Sequence, residues 1–434
     1  MSASKASIFE ELFLESNDQE RTADLKSGVV SIDYYEDILS PTVTAKIRVI
    51  NTGDSIAPKD TNDPKKTNGA KQSIYNGLPL RGGETVTLKI KGNTEDNPGI
   101  DLKFFVSSIS NVIVRKKTES FSLNLVSIGA ITNETSRVGR KYPTSNKISE
   151  SVKDIIKNYL SDQREVDVDP TQNVYGFIGN MRKPFTTLMW LASRAVPESA
   201  KDSSTSGYLF FETKKGFHFR SIDSLINSEP AARYYSTEVI EESNNDFKII
   251  RYKTSQNEDV LGKLQRGAYC SYRIFFDPLT FSYTDPLKGP FTSENYASED
   301  PKKGKSSTLG KGIKLPGNLG TTPSRFVTAI MDRGTMEKGV SKAENADPTF
   351  TQSQALMRYN SIFSQKLSMT VPSNTNLKAG DIIECEFALS SAKDSVDTEQ
   401  SGLYMIKELC HHFDPTGSYT SLILISDTFG SRAV

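Results

Sequence analysis

The 434 residues carry 53 Lys plus Arg against 53 Asp plus Glu, a balance that argues against a general nucleic-acid binder, whose affinity rests on neutralising phosphates. Mean hydropathy is −0.45 and no run nears the roughly 20 apolar residues of a membrane helix, so no membrane insertion is expected. The length allows about two to four domains with ample core.

From the N-terminus, Met1 to Lys26 has scattered acids and no apolar core of signal-peptide type. Gly28 to Gly53 reads as strand, with Val29 to Tyr35, a Ser-Pro turn and Val43 to Ile50. Asp54 to Asn76 is rich in Lys, Asn, Asp and Pro and reads as a surface loop. Strands resume at Leu78 and run to Ile128. A helix starts near Ser149, with Val152, Ile155, Ile156 and Tyr159 on one face. A second starts at Pro184, a favourable first-turn position, and stops before Pro197. Tyr208 to Thr213 and Phe217 to Ile222 flank Lys214-Lys215-Gly216 as a hairpin. Thr254 to Leu264 reads as helix, Gly267 to Tyr283 as two strands, and Lys288 to Ser324 as an excursion loop. Phe350 to Phe363 is helical in pattern. Leu367 to Val371 leads into closing strands, in which Ile383, Cys385 and Phe387 alternate and Asp414-Pro415-Thr416-Gly417 turns a final hairpin.

Three blocks occur twice in the same order. Leu80-Arg81-Gly82-Gly83-Glu84 parallels Leu377-Lys378-Ala379-Gly380-Asp381. Val106 to Ile109 and Ser122 to Ser127 parallel Ile406 to Leu409 and Ser421 to Ser426. Upstream, Ser31 to Asp37 parallels Ser271 to Asp277. These blocks imply an internal duplication of a β-unit. The fold class expected is therefore α+β, mainly β: two related antiparallel β-domains with an α/β insert between them. The expected boundaries are 1–132 for the first β-domain, 133–265 for the insert and 266–286 for the start of the second β-domain. An excursion loop and helix occupy 287–364, and the rest of the second β-domain 365–434.

Sites of chemistry are sparse. His411 and His412 are adjacent in a strand and point to opposite faces. His218 lies in the aromatic hairpin, and no His/Cys cluster has zinc spacing. There is no Gly-x-Ser-x-Gly elbow. Gly310 to Lys314 lacks the Gly-Lys-Ser/Thr ending of a phosphate loop, and is taken as solvated linker. Asn133-Glu134-Thr135 has glycosylation spacing without a secretory context. The three cysteines, Cys270, Cys385 and Cys410, are far apart in apolar patterns and read as buried thiols of a reducing cytoplasm. No catalytic, cofactor-binding or metal-binding residue is assigned, and no cofactor. The acids to suspect in a cell-wall hydrolase are Glu212 and Asp223, which flank the hairpin. A receptor or carbohydrate binder would instead use Phe210, Phe211, Phe217 and Phe219, whose ordinary role is sheet core.

The ending, Leu377 to Ile383, Ser401 to Ile406 and Tyr419 to Asp427, resembles the tube-type β-barrel of contractile-tail hub proteins. So do Lys183 to Ala195 with the following hairpin, and Gly267 to Ser271 through Asp277-Pro278. The likeness is to the central baseplate hub of T-even-type phages, and more distantly to the base of type VI secretion spikes. It spans most of the chain through short motifs. The resemblance implies a non-enzymatic homotrimer whose six barrels form a ring between sixfold tail tube and threefold spike. Its implied partners are the tube-initiator, central spike and baseplate wedge proteins, with DNA passing through without sequence-specific binding. The implied place is the virion tail baseplate, assembled in the host cytoplasm. The long loops and the short C-terminal extension depart from that pattern and put peripheral and spike contacts in question.

Overall fold

The computed structural model describes residues 5–18, 21–52, 56, 72–92, 99–160, 164–198, 205–236, 245–283, 290–292, 318–334, 345, 348–389 and 396–430. Most of the loop 54–76, much of the loop 288–324 and the Gly310–Lys314 motif lie outside them.

Alternating apolar residues build the first unit. Its strands are β1 (Ile8–Glu15), β2 (Thr22–Asp24), β3 (Val29–Asp37), β4 (Thr44–Thr52), β5 (Thr85–Lys91), β6 (Ile100–Val114) and β7 (Thr118–Val126), with a short helix α1 (Ile74–Gly77). The apolar-acidic lead-in at Ile8 is thus a strand, held between β5 and β2. The insert follows, with α2 (Ile128–Thr135), β8 (Lys141–Tyr142), α3 (Ile148–Tyr159), β9 (Glu165–Val168), β10 (Phe177–Ile178), α4 (Pro184–Ala192), β11 (Tyr208–Thr213), β12 (Gly216–Ser221) and α5 (Ile222–Ile226). Pro184 is in the first turn of α4, as expected. Ser149 does not cap α3; the backbone N–H of Lys147 instead meets Glu150 at 3.1 Å, and Ser149 bonds Thr171.

The second unit takes up β13 (Ala232–Ser236), β14 (Lys248–Ile249) and β15 (Arg251–Asn257). An excursion then runs through α6 (Val260–Arg266), β16 (Cys270–Asp277), β17 (Ser282–Tyr283), β18 (Pro290–Thr292), β19 (Arg325–Ile330) and α7 (Thr349–Ser361). The chain returns with β20 (Gln365–Pro372), β21 (Ile382–Glu386), β22 (Gly402–Phe413) and β23 (Ser418–Ser426).

The mainly β fold with an α/β insert is as expected, and among the described residues the ladder of neither β-unit closes on itself. One 14-stranded sheet runs through both. Its spine is the antiparallel run β15-β20-β23-β22-β3-β4-β7-β6. Behind the spine lie β5, β1 and β2 in the first unit, and β21, β13 and β14 in the second. A single apolar core fills the space between, from Leu12, Val86 and Phe104 to Ile383, Cys385 and Leu424.

Two expectations change. Arg251 to Asn257 is a strand paired with β20, and only Val260 to Arg266 is helix. Ser271 to Asp277 does not enter the large sheet: β16 pairs with β17, β18 and β19 in a separate small sheet. The counterpart of β3 is β15, since β3 pairs β4 and β15 pairs β20 at equivalent registers beside β7 and β23. The other two repeat blocks superpose in detail. Gly83 N–H donates to Val106 O, and Val106 N–H to Glu84 O; Gly380 N–H donates to Ile406 O, and Ile406 N–H to Asp381 O. Both glycines sit at positive φ, 92° and 89°, which only glycine adopts without strain. The ladder skips a residue at Val106/Ser108 and again at Ile406/Glu408. The far ends of the two units differ. The β6–β7 turn is Arg115-Lys116-Lys117, whereas the β22–β23 turn is Asp414-Pro415-Thr416-Gly417.

Candidate functional site

The site that the fold singles out is the seam between the two units, together with the sheet edges that repeat its geometry. Strand β22 is long enough to serve two neighbours on one edge. Its start pairs with β21 over Gly402–Met405, and its end with β3 over Glu408–Phe413. Across the seam, Lys407 meets Asp37 at 2.9 Å. His412 Nδ1 lies 2.5 Å from Asp33, which also meets Arg48 at 3.5 Å. The neighbouring His411 faces the other way, fully buried, stacked on Tyr34 with ring centres 6.0 Å apart and bonded to Thr420 at 3.0 Å. Burial holds its imidazole down to about 3, so the ring is neutral. The two histidines diverge as strand geometry requires.

The insert hairpin locks this seam from one side. The Glu36 carboxylate on β3 accepts from Tyr34 O–H at 2.7 Å, Lys214 N–H at 2.7 Å and Ala379 N–H at 2.8 Å. One buried acid therefore joins the first unit, the hairpin tip and the second unit. Glu212 on β11 accepts from Val43 N–H at 2.8 Å and Ser127 O–H at 2.7 Å and pairs with Arg164. Burial pushes both carboxyls above the usual carboxylate range. Arg358 of α7 is buried between Asp223 at 2.5 Å and Asp427 at 3.1 Å. It ties the excursion helix to α5 and to the end of β23.

These contacts settle where the suspected acids sit. Glu212 is 0% exposed and Asp223 2%. Both have their oxygens committed to donors, Asp223 also to Thr205 N–H and O–H. They are not brought together around a cleft. Phe210, Phe217 and Phe219 lie in the insert core, and Phe211 points the other way, into a cluster with Leu225 and Ile382. The aromatic hairpin is buried on both faces, one against the insert and one against the second unit. Sequence reading missed one arrangement. Thr213 Oγ1 lies 2.8 Å from His218 Nε2, and His218 Nδ1 3.2 Å from Asp167. The order is that of a nucleophile, base and orienting acid. Thr213 is fully buried and also accepts Lys215 N–H, so the trio fastens the hairpin turn. Among the described residues no group of His, Cys, Asp and Glu is placed to hold a metal ion. Cys270 and Cys385 are buried and Cys410 partly so.

The seam has two unfilled counterparts. The end of β22 is matched in the first unit by the end of β6, which pairs with β7 on one side only. The strand β3, its partner in the seam, is matched by β15, which pairs with β20 on one side only. The open stretch of β6 carries Val112, Ile113 and Val114, 38%, 53% and 61% exposed, and the chain entering β15 carries exposed Ile250 and Tyr252. Among the described residues, one chain thus ends its spine in two complementary, unpaired edges.

No family model matches the chain. It is 18% identical over 297 residues to a probable baseplate hub protein, gp334, of Vibrio phage KVP40, spanning 66% of this chain and 67% of that protein. Among solved structures it resembles a tail protein from Neisseria meningitidis MC58, with a TM-score of 0.55 at 11% identity over 96% of each chain. It also resembles the 43 kDa tail protein of prophage MuSo2 from Shewanella oneidensis, with a TM-score of 0.53 at 9% identity over 96% of this chain and 99% of that one. The chain shares the fold of these tail proteins.

Proposed function

We propose that the protein is a structural baseplate hub of a contractile phage tail, in which three chains form a ring of six related β-units. It is a component of the virion tail baseplate. The observation that carries the ring is the pair of open edges. Inside the chain, β22 and β3 join two units; between chains, the end of β6 of one copy and β15 of the next would present the same two strand types, which among the described residues carry no partner on that side. Exposed edges invite such pairing, and a head-to-tail contact repeated around an axis closes a ring. Three chains then offer six similar units to a sixfold tube and threefold symmetry to a spike, with a channel for DNA. The role is non-catalytic. The acids that a hydrolase reading would use are consumed in buried structural bonds, and the aromatics that a receptor binder would use are core.

Light scattering on the purified chain tests the ring, with a mass near three times 48.0 kDa expected. A strict monomer at high concentration overturns it. The strand pairing has its own test. Cys410 faces Tyr35 across the seam, and the counterparts are Ser110 and Gln256. A Ser110→Cys/Gln256→Cys protein in a Cys410→Ser background should form chain-to-chain disulfides on mild oxidation, and no cross-linked trimer means that these edges do not meet.

A further inference from the structure

The spine has two faces. One is packed into the common core, and the strands behind it, the insert and the excursion all lie on that side or at the ends. The other is polar, and no described element packs on it. On it Lys366 of β20 stands by strand alternation, and Arg251 and Lys253 of β15, Ser368 and Thr370 of β20, and Ser421 of β23 surround a cavity of about 400 Å³. Glu408 and Cys410 line its far wall.

The charges of this face are unequal in a way that composition conceals. Its acids are neutralised at the seam: Asp33 by His412 and Arg48, and Asp37 and Glu408 by Lys407. Arg251, Lys253 and Lys366 form no ion pair among the described residues; Arg251 meets only the Thr370 hydroxyl, at 3.4 Å. The pairing of β15 with the next chain's β6 adds no acid, since the facing stretch is Ser108 to Val114. Fixed cations beside hydroxyl donors are the chemistry that meets phosphate oxygens without reading bases.

We propose that this open face lines the channel and that Arg251, Lys253 and Lys366 contact the phosphate backbone of duplex DNA there. The inference rests on the ring reading above. The second layer is too bulky for the inside of a closed ring, which leaves the open face inward. Eight spine strands from each of three chains, spaced about 4.8 Å and tilted about 40°, enclose roughly 50 Å from backbone to backbone.

Spin labels on Ser368→Cys, in a Cys410→Ser background, report the face by their separations within the assembled protein. About 30–40 Å is expected for the inner face from the same strand spacing and tilt. A label on Lys89→Cys, on β5 in the layer behind and facing away from the core, should read about 65 Å or more, given sheets packed about 10 Å apart. Reversed distances overturn the lumen assignment alone; no coupling at either site overturns the ring reading and the assignment with it. Arg251→Glu/Lys253→Glu should then weaken binding of a short linear DNA duplex about tenfold and flatten its salt dependence, with the mass unchanged. Unchanged affinity at unchanged mass overturns the phosphate contact.

Discussion

The seam inside the chain and the open edges at its two ends are built on the same strands, yet they are held differently. The seam has a buried carboxylate with three donors, ion pairs to Asp33 and Asp37, and a neutral buried histidine. The edges have Val112, Ile113, Val114, Ile250 and Tyr252. A contact that forms once, as the chain folds, can rest on desolvated polar groups whose partners are covalently nearby. A contact that must form between separate molecules uses backbone pairing and apolar side chains, which cost less to desolvate. In the proposed ring, the one repeated strand geometry would serve as a permanent joint inside the chain and, with different side chains, as an assembly joint between chains.

The division is open to attack in order of size. Glu36→Ala should do the most damage, because it orphans two buried N–H groups and the Tyr34 hydroxyl; a loss of about 3–4 kcal/mol is expected from unsatisfied buried donors, read as a lower denaturant midpoint. If stability is unchanged, the seam is not what holds the units. His411 gives the next effect. Its pKa is depressed in the fold, so its contribution is fully present above its ordinary value of about 6.5 and is lost as pH falls toward about 3. Relative to His411→Phe, the wild-type chain should lose about 2 kcal/mol between pH 6.5 and 5. The opposite shift of Glu36 and Glu212 is common to both proteins and cancels. A constant difference across that range would show that His411 is not neutral in the fold.

The equivalent glycines sharpen the comparison further. An added Cβ at Gly380 meets Phe211 Cζ at 3.1 Å, while at Gly83 it meets only the Asn17 side chain. Both alanine variants carry the strain of positive φ, about 1–3 kcal/mol, and Gly380→Ala should be the costlier because an aromatic ring wedged under the hairpin yields less than an Asn. Equal cost would deny that the second site is the tighter one. Ile113→Lys should have the smallest effect on the chain, within about 0.5 kcal/mol for a surface change, but should abolish the trimer mass. A normal mass would remove β6 from the contact.

The elements legible in the sequence were those whose partners lie close by. The alternation of Ile383, Cys385 and Phe387, the Asp414–Gly417 turn and the Pro184 start of a helix all state their structure locally, and the repeated Gly-acid corner stated the duplication. Thr254 to Asn257 reads as the start of a helix because β15 is a polar strand, with no apolar alternation, whose partner β20 lies beyond the long excursion. The match of Ser271–Asp277 to Ser31–Asp37 rests on local likeness alone, which the separate small sheet around β16 overrides. The seam itself was not legible. Nothing in the composition of Glu36 or Glu212 distinguishes a buried three-donor carboxylate from the other acids, and only the meeting of three segments makes them so.

The two hairpin turns at the far end of the units carry a last consequence. Arg115-Lys116-Lys117 and Asp414-Pro415-Thr416-Gly417 occupy matching places. In the proposed ring of six units they would alternate, cationic then not, and the rim would work as a rotational key. A docking partner turned by one sixth of a revolution would meet the wrong charge at every position. A ring that looks sixfold in its backbone would therefore accept a neighbour in three orientations and refuse it in the other three.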